Sequence, residues 1–87
     1  MATTYDVTFA RSAQKELERL GEPIRTRVFL RIERLESDPR PPGCRKLEGA
    51  EDLWRLRIGD YRVIYSIDDS RHVVDISAIR HRSDVYR

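Results

Sequence analysis

The chain has 87 residues, a length that predicts one domain over 1–87 with no room for a second. Hydrophobic residues make up 39% and charged ones 37%, enough for a modest core under a heavily solvated surface, and a net charge of +2 excludes a uniformly basic nucleic-acid glove. No apolar run approaches the roughly 18 residues of a membrane span, and the single cysteine, Cys44, excludes an internal disulfide scaffold and makes a reducing cytoplasm the expected compartment.

Thr4 to Phe9 alternate, with Tyr5, Val7 and Phe9 on one side, as in a half-buried strand. From Ala10 the period becomes helical: Ala10, Ala13, Leu17 and Leu20 recur at spacings of three and four, and Gly21 is expected to close the helix in a left-handed cap. Pro23 sits where a first helical turn tolerates proline. Ile24, Val28, Ile32 and Leu35, widened by Phe29, then form a second apolar stripe, with Arg25, Arg27, Arg31 and Arg34 on its polar side. Ser37-Asp38-Pro39 stops this helix, and the short link between the two predicts an antiparallel helical hairpin. Pro39 to Gly49, with three prolines and two glycines, reads as irregular.

The remainder is strand-like. Leu53 to Ile58 sets Trp54, Leu56 and Ile58 against Leu53, Arg55 and Arg57. Gly59-Asp60 is a two-residue hairpin turn, Tyr61 to Ile67 a second strand, Asp68-Asp69-Ser70 a turn, and His72 to Ile79 a third. Arg80 to Arg87 is short and polar. The order β-α-α-β-β-β predicts an α+β fold: a helical hairpin on one face of a mainly antiparallel four-stranded sheet, whose other face is left to carry a site.

The chain has no phosphate-cradling glycine loop and no paired cysteines, and His72 and His81 are not spaced with carboxylates as metal ligands, so neither metal nor cofactor is expected. Ser83 beside His81 reads as a turn or cap residue, and Cys44, with no base positioned for it, as a small loop residue. What remains is arginine with aromatic partners. Arg55 and Arg57 share one side of their strand, Arg62 follows the hairpin turn, Arg80 and Arg82 flank His81, and Tyr86 and Arg87 close the chain. Pairing across Gly59-Asp60 sets Arg57 near Arg62, an opposition of like charges that is unfavourable unless an anion bridges them. Arginine grips phosphate bidentately and aromatics stack on bases. Two readings follow: a phosphate site, or a solvated face whose arginines are neutralised by acids such as Asp60 and Asp84.

The string LRIGDYRVIY over Leu56 to Tyr65, followed by IRHRSDVY over Ile79 to Tyr86, closely resembles the RelE branch of the RelE/ParE toxin superfamily. Lys46-Leu47-Glu48-Gly49 and the opening strand and helix, Tyr5 to Leu20, resemble it as well, so that the likeness covers essentially the whole chain. The resemblance implies a cytoplasmic toxin of a type II toxin-antitoxin system, monomeric when free and neutralised by a RelB-like antitoxin. It implies a metal-independent endoribonuclease without cofactor that works on the ribosome and its mRNA, in the A site. There a ribose 2′-hydroxyl attacks the adjacent phosphate. By the same resemblance Arg62 grips the phosphate, Arg80 serves the leaving side or the phosphate, and Tyr86 orients or deprotonates the hydroxyl or stacks on a base. Lys46, Arg55, Arg57 and Arg82 are expected to hold RNA.

The chain departs from the family where some members carry lysines and it has Arg55 and Arg57. Arginine does not give up its proton, so the general base falls to Tyr86 or His81. The same frame also serves a ParE-like toxin that poisons DNA gyrase without cutting nucleic acid, and an inactive antitoxin-bound module.

Overall fold

The computed structural model describes residues 4–49 and 52–84. The change of period at Ala10 is where the first strand, β1 (Asp6–Phe9), gives way to α1 (Arg11–Glu18). α2 (Ile24–Glu33) runs on into a 3-10 turn, Arg34–Glu36. The strands β2 (Cys44–Lys46), β3 (Leu53–Ile58), β4 (Tyr61–Asp68) and β5 (Val73–His81) follow, and a second 3-10 turn spans Arg82–Asp84.

The five strands form one sheet in the order β1-β5-β4-β3-β2. β1 lies parallel to β5, and the other neighbours are antiparallel. The α+β expectation holds with one strand more than the four expected. The stretch Pro39 to Gly49, expected to be irregular, supplies β2, pairing Cys44 with Leu56, Arg45 with Arg55 and Lys46 with Trp54. Three residues are too few to show a period, and their strand character comes from the edge of β3.

Both helices lie on one face. Ala13, Val28, Ile32 and Leu35 pack with Leu56, Ile58, Val63, Tyr65, Val74, Ile76 and Ile79 in a single buried cluster. Strict alternation along β5 would turn Ile79 away from Ile76. A bulge prevents this: Ile64 pairs with Ala78 and Tyr65 with Ile76, which leaves Ser77 as the extra residue and returns Ile79 to the core.

Two local expectations are corrected. Gly21 does not take a left-handed cap; among the described residues the positive-φ glycines are Gly43, Gly49 and Gly59. α1 ends at Glu18, and the Gly21 carbonyl instead accepts Arg25 N–H at 3.0 Å, so Gly21 opens α2. The Glu22 carboxylate completes that start by accepting the Thr26 N–H at 3.0 Å, and the Thr26 hydroxyl bond holds its pKa below the ordinary value. The second correction concerns the stripe of α2, which is narrower than expected: Val28, Ile32 and Leu35 are buried, whereas Ile24 and Phe29 are exposed.

Candidate nucleic-acid interface

The side of the sheet away from the helices carries the arginines, and the register of three strands lines them up. Arg57 on β3 pairs with Arg62 on β4, and Arg62 pairs with Arg80 on β5. Neighbouring strands lie about 4.8 Å apart, so three guanidiniums rise from a span of roughly 10 Å. Two residues further from the hairpin turn a second row runs Arg45, Arg55, Ile64, Ala78. Leu56 and Ile58 alternate with Arg55 and Arg57 and are buried, so burying one side of β3 forces the arginines onto the other.

The turn beneath the first row is Gly59-Asp60. Gly59 has φ 59° and Asp60 has no positive φ, the pattern of a type II′ turn that matches the twist of the strands it joins. Arg57 Nε donates to the Gly59 carbonyl at 3.3 Å, which ties the outer member of the row to this turn. At the other end Arg80 Nη1 meets Glu16 Oε2 of α1 at 3.1 Å. The neutralising acid expected from the sequence was Asp60 or Asp84, and for Arg80 it is Glu16, a helix residue brought to the strand by tertiary packing.

The other residues expected at the site fall elsewhere. Lys46 pairs with Trp54, which pairs with the buried Tyr65, so Lys46 stands on the helix side of the edge strand. Its neighbour Arg45 takes the place opposite Arg55 on the open side. Sequence reasoning missed Arg45, because only the pairing of β2 reveals it. His81 pairs with Tyr61 in the same cross-strand row as buried Ile58, and therefore also turns to the helix side.

There the His81 and Tyr61 rings meet edge to face at 5.1 Å, and both line a pocket of about 260 Å³ with Ile24, Arg27, Ile58, Gly59 and Asp60. His81 Nδ1 accepts the Ser83 N–H at 3.2 Å and lies 2.9 Å from Ser83 Oγ, so the neutral ring carries its proton on Nε2. Ser83 is thus the turn residue expected. Arg82 is exposed in the final 3-10 turn, its N–H bonded to the Asp60 carbonyl at 2.7 Å. Tyr86 and Arg87 lie outside the described residues. Among the described residues no three His, Cys, Asp or Glu side chains gather where they could hold a metal, and no helix is long and apolar enough to cross a membrane.

Three arginines rising side by side from neighbouring strands can hold an anion with several charged oxygens, such as a phosphodiester. Known proteins share both the frame and the sequence. The family model described as "ParE toxin of type II toxin-antitoxin system, parDE" matches residues 7–86. Toxin RelE of Mycobacterium tuberculosis is 38% identical over 84 residues, covering 95% of this chain and 87% of its own. The mRNA interferase toxin RelE of Escherichia coli is 31% identical over 86 residues, covering 94% and 90%. Among solved structures, the archaeal RelE in complex with RelB from Pyrococcus horikoshii superposes with a TM-score of 0.81 at 36% identity, over 91% of this chain and 96% of that one. The isolated E. coli RelE toxin gives 0.78 at 28% identity, over 94% and 90%. The chain therefore belongs to the RelE/ParE superfamily of toxins from type II toxin-antitoxin systems.

Proposed function

We propose that this toxin is a ribosome-dependent endoribonuclease that cleaves mRNA in the A site. The observation that carries the reading is the cross-strand row Arg57, Arg62, Arg80 on the uncovered side of the sheet. The naming of relatives as mRNA interferases supports it. In the reaction the ribose 2′-oxygen bonds to the adjacent phosphorus and the P–O5′ bond breaks. A base takes the 2′-proton and a proton reaches the departing 5′-oxygen, which leaves a cyclic phosphate and a 5′-hydroxyl.

The arginines bind the phosphate and stabilise the extra negative charge of the pentacovalent state. Arg62, flanked by the other two, grips the non-bridging oxygens, and Arg80 serves the leaving side. Arg55 and Arg45 on the open side, with Arg82 in the final turn, follow the flanking backbone, whereas Lys46, on the helix side of the edge strand, stands apart from it. None of these arginines can act as the base. Tyr86 takes that role, with His81 as the second acid-base group, offering Nε2 from the other side of the sheet end. No metal or cofactor enters the scheme. The toxin acts in the cytoplasm as a monomer, and its antitoxin is RelB-like, as in the complexes of its structural neighbours.

The test is to incubate the protein with ribosomes programmed with a defined message and map the new 5′ ends. Wild type is expected to cut in the A site, and Arg62→Ala and Tyr86→Phe to cut on the order of 10²-fold more slowly. No cut by wild type would sink the reading. Inhibition of gyrase supercoiling without RNA cleavage would favour the second reading, which the ParE description of the matching family supports.

A further inference from the structure

We propose that Glu16 on α1 is a positioning residue for Arg80, an inference that rests on the ribonuclease reading above. The last β1–β5 pair is Phe9 with Ile76, and the ladder closes with Ala10 N–H donating to the Ile76 carbonyl at 2.8 Å. Beyond that point β1 no longer runs beside β5, and the bulge at Ser77 follows at once. Glu16 fills the vacated place. Its Oε1 accepts the Ile79 N–H at 2.9 Å, a donor that would otherwise be left without a ladder partner. Its Oε2 meets Arg80 Nη1 at 3.1 Å, in a pair whose side chains are 21% and 51% exposed.

The two oxygens do different work. A neutral acceptor would satisfy the Ile79 N–H equally well. The second oxygen brings negative charge to the outermost of three arginines that repel one another, on the side away from Arg62. Arg80 stands at the end of the row, with no fourth strand member to confine it. Because the contact engages one terminal nitrogen, the guanidinium's remaining N–H groups stay available to a phosphate. Glu16 therefore fixes where the leaving-side arginine stands without occupying it.

Glu16→Gln separates the two jobs, since its amide oxygen still accepts the Ile79 N–H while the charge is lost; Glu16→Ala removes both. Single-turnover cleavage on programmed ribosomes is expected to show Glu16→Gln with wild-type Tm, a kcat lower by about tenfold and an unchanged KM, the signature of lost orientation in the transition state. In an Arg80→Ala background the same substitution is expected to cost nothing further. Glu16→Gln cutting as fast as wild type or faster, or losing as much rate without Arg80 as with it, would overturn the inference while the wild type still cleaves. A wild type that cuts no message would overturn the functional reading and this inference with it.

Discussion

Tyr65 is the largest fully buried side chain among the described residues, and its hydroxyl serves the chain itself, donating to the Pro39 carbonyl at 2.8 Å. Burial, helped by the neighbouring Cys44, pushes its phenol well above the ordinary value. An acid whose pKa is raised by folding stabilises the fold below its unfolded value, near about 10, and that contribution is lost as the pH climbs through the folded one. Tyr65→Phe should cost about 1–2 kcal/mol at neutral pH, by leaving the Pro39 carbonyl unpaired, and should flatten the alkaline fall in stability. Urea melts at a series of pH values check both. The middle arginine of the row gives a sharper test of chemistry. Arg62→Lys keeps the charge and loses the planar fork, so a bidentate grip predicts a cleavage rate nearer to Arg62→Ala than to wild type. Full rescue by lysine would show that point charge suffices.

At the scale of elements, the clearest case is the hairpin joining β3 to β4. A methyl group on Gly59 would meet Arg27 Nη1 at 3.8 Å, an ordinary contact, so the cost of Gly59→Ala lies in the backbone. At φ 59° that cost is about 1 kcal/mol, and it should appear in urea unfolding with the m-value unchanged. This turn was legible because a period-2 run on each side frames a glycine. So were β3, whose apolar residues and arginines take turns along the chain, and β4, which is rich in β-branched and aromatic residues. β5 was less legible: the expected end at Ile79 falls two residues short of His81, and the bulge at Ser77 exists only through pairing with β4. On α2, period alone put Ile24 and Phe29 in the core. The helix has only one buried side to give, and Val28, Ile32 and Leu35 take it. The site followed the same division. Arg57 beside Arg62 could be foreseen from a two-residue turn, whereas Arg45, Glu16 and the placing of Lys46 and His81 on the helix side depend on neighbours far along the sequence.

For the molecule as a whole, the net charge of +2 conceals a division of labour between two faces. One is covered by helices and holds the core, and the other gathers Arg45, Arg55, Arg57, Arg62 and Arg80 from four strands. If this face tracks an RNA strand, association with programmed ribosomes should weaken steeply with salt, and Arg55→Ala or Arg57→Ala should each lower the slope of log K against log salt by about 0.7. A slope unchanged by both substitutions would place the RNA elsewhere. The strand order carries one more consequence. β5 is made last of the strands yet sits between β1 and β4, and Thr8 and Asp75, bonded at 2.7 Å across that junction, are 67 residues apart in sequence. A ribosome part-way through this chain can carry the helices and the β3–β4 hairpin, but β1 then has no strand to lie against. The third arginine of the row has also yet to be made. Assembly of the sheet and assembly of the grip are therefore a single late event in synthesis, slowed by the closure of a long loop, and a shortened product of this gene would be both misfolded and harmless.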